Sequence, residues 1–141
     1  MNRRVSKRGA WVITGSYWVV MALITHSPPF LGKSDTPSPA LALDKLGHLI
    51  GFALLAFFLR ALIGWRVTLI VAVAAVYAVV DELTQPWVGR TADPKDWVAD
   101  MLGVGVGLLA AILWQRVRRA PPADPAGQSA SAVADAVHPQ P

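Results

Sequence analysis

Four apolar runs organise this chain, each broken off by charged or proline-bearing stretches that a helix interior tolerates badly. The first extends from about Trp11 to Thr25 and stops at Ser27-Pro28-Pro29; the second lies between Leu41 and Gly64, the third between Val67 and Pro86, the fourth between Trp97 and Gln115. Runs of this length predict an all-α fold, an integral membrane bundle of four transmembrane helices. Residues Ala120 to Pro141 hold five prolines and otherwise little but Ala, Ser, Asp and Gly. Such a segment cannot bury enough surface to offset its ordering entropy, so it reads as a disordered tail. The expected organisation is a basic N-terminus over 1–10, a membrane domain over 11–119 and the tail over 120–141. A secretory signal competes for the first run, because Met1 to Arg8 is basic and Ala40-Leu41-Ala42 resembles a cleavage site. The apolar stretch ends about seventeen residues before that site, further than such signals allow, so the run is read as a retained span.

Composition supports the bilayer. With 141 residues the chain allows one domain, and 54% apolar against 16% charged residues departs from the roughly 45–50% and 25% of soluble domains. The absence of cysteine excludes disulfides, thiolate nucleophiles and cysteine metal sites. Thirteen Lys and Arg against nine acids give a net charge of +4, and the charges are segregated, which points to membrane orientation rather than nucleic-acid binding. Arg3, Arg4, Lys7, Arg8, Arg60, Arg66, Arg116, Arg118 and Arg119 fall on one side; Lys33, Lys45, Arg90 and Lys95 fall on the other. The positive-inside rule then places both termini in the cytoplasm. Trp11, Trp65 and Trp114 sit at the predicted cytoplasmic ends and Trp87 and Trp97 at the outer ends, as interfacial tryptophans do.

The acids run the opposite way, and their depth is informative. Fourteen residues separate Lys45 from Arg60, and fourteen separate Arg66 from Asp81. That is about 21 Å of helix against roughly 30 Å of hydrocarbon, so polar residues must enter the outer leaflet. Asp44 lies sixteen residues from Arg60, Glu82 sixteen from Arg66 and Asp100 sixteen from Arg116. Each would sit about 24 Å above the inner boundary, converging in one layer if the helices pack side by side. Asp44 with His48, Glu82 with Gln85, and Asp96 with Asp100 each share a helix face. Ionisable groups at such depth are costly and face a bundle interior or a wet cavity. The set could ligate a divalent cation through Glu82, Asp96 and Asp100 with His48 as nitrogen ligand, or hold a general acid and base. Lys45 and Arg90 could bind an anion above it. Competing structural roles are an interfacial Asp44–Lys45 pair, a packed His48, solvated Asp81 and Glu82 at a helix end, and Asp96 as a first-turn acid of the fourth helix. His26, at the outer end of the first span, is near enough to join the site, although its spacing does not require it. Gly103 and Gly107 stand at GxxxG spacing, with Ala74 and Ala78 of the third span as the expected counterpart.

These residues resemble a known family. Asp44-Lys45-Leu-Gly-His48 with Phe52 and Leu55, then Glu82-x-x-Gln85 with Arg90, then Asp96-x-x-x-Asp100-x-x-Gly103, are similar to the three ordered motifs of the VanZ-like membrane proteins. The resemblance covers roughly Leu41 to Gly107, and the first span fits in position and hydropathy. The family usually carries Asn where this chain has Asp100, an aromatic where it has Leu49 and Tyr where it has Phe52. The resemblance implies a multi-pass protein of the bacterial cytoplasmic membrane, acting at the cell envelope, with founding members linked to resistance to the glycopeptide teicoplanin.

Two functions fit. In one, the outward polar site binds, modifies or shields a lipid-linked envelope precursor or other cell-wall component, or a glycopeptide antibiotic, with or without turnover. In the other, Asp44, His48, Glu82 and Asp100 form the relay of a small proton- or cation-coupled transporter. A complete pathway would need polar residues in the inner leaflet, where the sequence has almost none.

Overall fold

The computed structural model describes residues 5–27 and 39–119. Arg3, Arg4 and Lys33 of the charge count and the tail over 120–141 lie outside them. The described residues form four α-helices and no strand: α1 (Lys7–Thr25), α2 (Pro39–Phe58, continued by a π turn over Leu59–Ile63), α3 (Val67–Thr84, continued by a 3₁₀ turn over Gln85–Val88) and α4 (Pro94–Arg119). Three segments are long and apolar enough to cross a membrane: Leu43–Ile63, Val67–Val88 and Pro94–Arg119. In α1, Gly15, Ser16, Tyr17 and Trp18 dilute the apolar character of the run.

α1 and α4 begin earlier than their apolar runs, and both for capping reasons. Ser6 accepts a hydrogen bond from the Gly9 amide at 3.1 Å, so α1 starts four residues before Trp11. Asp93 accepts from the Lys95 amide at 2.9 Å and Pro94 occupies the first helical position, where its missing N–H costs nothing, so α4 starts three residues before Trp97. Asp93 is therefore the N-terminal cap of α4, and Asp96 is the acid of its first turn, as the sequence predicts.

The chain runs up and down. Trp11 meets Trp65 edge-on with ring centroids 6.1 Å apart, Arg60 donates to the Trp65 carbonyl, and Gln115 donates to the Arg60 carbonyl at 3.0 Å. These contacts gather the start of α1, the α2–α3 turn and the end of α4 at one end of the bundle. At the opposite end Thr25 meets Asp81, and Lys45 meets Asp96. Hence α2 and α4 run in the same direction, antiparallel to α1 and α3.

The α2–α4 seam is the most extensive in the bundle. A β-carbon built on Gly103 would run into the Leu49 carbonyl, and one on Gly107 into the Ala53 carbonyl. Lipid tails are as apolar as leucine, so helix association depends on close van der Waals packing, which small residues permit. The counterpart of the glycine pair is therefore Leu49 and Ala53 of α2, not Ala74 and Ala78 of α3. Those alanines are buried in a core with Phe52, Leu55, Leu59, Ile70, Val104 and Leu108, onto which Trp18 and Tyr77 pack edge-to-face at 5.3 Å. Tyr17 donates to the Gly51 carbonyl at 2.8 Å and holds α1 against α2 at mid-height.

Replacing Gly103 or Gly107 with Ala forces two backbones apart, and thermal unfolding in detergent should show each variant losing about 1–3 kcal/mol or more. Gly105→Ala, whose added methyl meets nothing within 4 Å, should change stability by less than about 1 kcal/mol.

Candidate functional site

The direction shared by α2 and α4 sets a register of side chains. Moving down the seam, Lys45 faces Asp96, His48 faces Asp100, and Leu49 and Ala53 face the glycines. The polar residues consequently occupy two tiers one helical turn apart, about 6 Å, rather than the single layer expected from the residue count.

In the upper tier Lys45 Nζ donates to Asp93 Oδ2 at 2.8 Å and to Asp96 Oδ1 at 2.6 Å. Arg90 donates to Asp44 Oδ1 at 2.5 Å. Its position depends on Gly89, whose φ of +79° favours glycine and reverses the chain after the 3₁₀ turn so that the Arg90 amide reaches the Gln85 carbonyl. Asp44 therefore does not pair with its neighbour Lys45. Both cations expected to bind an anion are engaged by carboxylates. The Lys45 ammonium beside Asp93, helped by the Lys95 amide, holds the Asp93 carboxyl below its ordinary range.

The lower tier is almost fully enclosed. Asp81, Gln85 and Asp100 are 0% exposed, His48 3% and Glu82 8%. His48 Nδ1 and Asp100 Oδ1 share a hydrogen bond of 3.0 Å. Gln85 donates to Asp81 Oδ2 at 3.0 Å and, at 3.4 Å, to Glu82 Oε1, while Glu82 Oε2 accepts the Asp93 amide at 2.8 Å. The end of α1 closes the tier: Thr25 donates to Asp81 Oδ1 at 2.7 Å, and His26 Nε2 is 2.7 Å from the Thr84 hydroxyl. Asp81 and Glu82 are thus buried rather than solvated at a helix end. Among the described residues, His48 Nε2, Gln85 Oε1 and Asp100 Oδ2 are buried without a hydrogen-bond partner.

All eight expected residues, Asp44, Lys45, His48, Glu82, Gln85, Arg90, Asp96 and Asp100, come together at this end of the bundle. His26, which the sequence placed at the outer end of the first span, does join this end, and the structure adds Asp81, Asp93, Thr25 and Thr84. Two signals could have found some of them: Asp81 stands four residues before Gln85, and Asp93-Pro94 is the signature of a capped helix start. Beside the network a groove of about 380 Å³ runs between α1 and α2. Met21, Ile24 and Ile50 supply apolar wall, and Asp44, His48 and Arg90 supply polar lining.

Asp93 gives a test with a definite sign. Its folded carboxyl titrates below the unfolded value of about 3.9, so the bridge and cap contribute fully above that pH and fade as pH falls through the lowered value. Asp93→Ala should cost about 1 kcal/mol at neutral pH, and Asp93→Asn, which keeps a capping group, should make the acid-range dependence shallower by the share of this one carboxyl, both read by thermal unfolding from pH 3 to 6.

Neither a curated protein nor a solved structure matches the chain. The VanZ/LLP1 family model does, over residues 4–115. That span takes in the capped start of α1, every residue of both polar tiers and all of the fold except the last turn of α4. The chain belongs to the VanZ/LLP1 family.

Proposed function

We propose that this chain is a four-span protein of the bacterial inner membrane, with 11–119 as its membrane domain and both termini in the cytoplasm. Its polar end faces outward and holds a lipid-linked or cell-wall component. The observation that supports this reading most directly is the groove between α1 and α2, whose wall is apolar and whose lining includes Asp44, His48 and Arg90. An amphipathic molecule needs that combination: a surface for its chain and polar groups for its head. α1 completes the membrane domain, because Val12, Val19, Val20, Leu23 and Ile24 are all at least half exposed and need lipid around them.

Arg90 supplies the anion-binding group of the groove. Its partner Asp44 is 38% exposed, and an ion pair in contact with water is weak. A phosphate or carboxylate on an incoming head group offers Arg90 a bidentate acceptor and can displace Asp44 from it. The lower tier then meets the head group from below, with His48 in both the groove lining and the buried network. A coupled transporter fits less well, since Phe52, Leu55, Leu59, Ile70, Val104 and Leu108 form an apolar core below the tiers.

Orientation is tested by cysteine labelling, which the lack of native cysteine makes clean. In intact cells a membrane-impermeant maleimide should label Thr91→Cys and leave Ser6→Cys unlabelled until the membrane is opened. The reverse pattern overturns the outward placement. Function is tested by Glu82→Gln, Asp96→Asn and Asp100→Asn made singly, with teicoplanin sensitivity of cells and proton or cation flux in proteoliposomes measured in parallel. Each variant should move envelope sensitivity to that of cells lacking the protein, with flux no higher than in empty vesicles. Flux that is present in the parent and lost in the variants, with envelope behaviour unchanged, would reverse the assignment.

A further inference from the structure

The lower tier carries an electrostatic imbalance that the upper tier does not. His48, Glu82 and Asp100 come from α2, α3 and α4, and each offers a ligand atom within 4.8 Å of the other two. Two carboxylates so close, 8% and 0% exposed, repel one another in a medium that screens poorly. The nearby cations are committed elsewhere, Lys45 to Asp93 and Asp96 and Arg90 to Asp44. Asp100 also presents Oδ2 with no partner, on the carboxylate that already faces His48. A buried acceptor left open in this way destabilises the fold unless something binds it.

We propose that His48, Glu82 and Asp100 bind one divalent transition-metal ion of the zinc type. Metal–ligand bonds of about 2.0–2.2 Å put ligand atoms roughly 3–3.5 Å apart, so the trio needs only side-chain contraction, with no helix shift. One imidazole nitrogen with two carboxylates suits Zn²⁺ or Mn²⁺ better than Ca²⁺ or Mg²⁺, which favour oxygen throughout. A second trio, Asp44, His48 and Asp96, has similar spacing. Its carboxylates already hold Arg90 and Lys45, which excludes it as the first site to fill. Three protein ligands leave a coordination position open, and His48 also lines the groove, so an ion on it is within reach of a ligand there. The inference goes beyond the proposed function and does not depend on what occupies the groove.

The test uses the full chain in detergent, stripped with EDTA and titrated with ZnCl₂ without any lipid ligand, so its outcome is separate from that of the envelope assays. One equivalent of zinc should bind, as read by metal analysis and by competition with a chromophoric chelator, and millimolar Mg²⁺ should not displace it. Glu82→Gln and Asp100→Asn, which remove ligands, should weaken binding by more than about 100-fold, beyond the loss that an outer-shell partner brings, while Asp44→Asn and Asp96→Asn leave it within about threefold. Asp100→Cys keeps a metal ligand and, with Co²⁺, should give a thiolate charge-transfer band in a chain that has no other cysteine. Zinc retention below one equivalent in the parent, equal binding in Asp100→Asn, loss in the Asp44 and Asp96 variants, or no charge-transfer band would each overturn the site.

Discussion

Backbone contact between α2 and α4 governs everything above it. Because Gly103 and Gly107 lack a β-carbon, α4 seats directly on the carbonyls of Leu49 and Ala53. Two helices in contact at that range cannot slide by a residue without driving side chains into backbone, so the register is set by sterics. The polar pairs inherit it. His48 reaches Asp100 and Lys45 reaches Asp96 because those positions lie on the same seam, about one and two turns above the Gly103 contact. Attraction between the charges did not have to find this alignment; packing imposed it.

The two tiers solve different problems with the same residue types. Near the surface each acid has a cation, the cations are partly exposed, and the pairs tie the loop after α3 to α2 and α4. The Arg90–Asp44 and Lys45–Asp93 pairs, whose carboxylates are about a third exposed, contribute modestly and can exchange partners, whereas Asp96 is buried and its pair with Lys45 is harder to break. One turn deeper, pairing gives way to shared hydrogen bonds among Asp81, Glu82, Gln85, His48 and Asp100, with α1 sealing the tier through Thr25 and His26. Removing one member there strands another in low dielectric, so substitutions in the lower tier should act as a group and those in the upper tier more independently.

Depth was legible in the chain, and partnership was not. Counting residues outward from Arg60, Arg66 and Arg116 brings Asp44, Glu82 and Asp100 to the same end, since rise per residue is a property of the helix alone. It misses by one turn because Asp44 lies above His48, and it is His48 that meets Asp100. The glycine stripe announced a close contact, yet small residues stand on both candidate neighbours, Ala53 on α2 and Ala74 with Ala78 on α3, so only the packed structure decides between them. The ion pairs were illegible for another reason. Lys45 and Arg90 are long enough to reach several carboxylates, and their choice depends on where the Gly89 turn delivers the loop.

The position of Asp100 follows from the same geometry and explains why it is the most consequential acid in the chain. Its backbone lies three residues before Gly103, hence on the face of α4 that is pressed hardest against α2. A charged group there has no route to water by snorkelling, because a short aspartate cannot reach past His48. An amide at this position would share a hydrogen bond with the histidine and close the account with no charge. An aspartate instead brings a carboxylate whose second oxygen has no donor, at a place where α3 contributes another acid. The membrane makes that arrangement costly, and the tightest contact of the bundle holds it in place, so a positive charge shared by Asp100 and Glu82, whether a proton or a metal ion, offsets part of that cost.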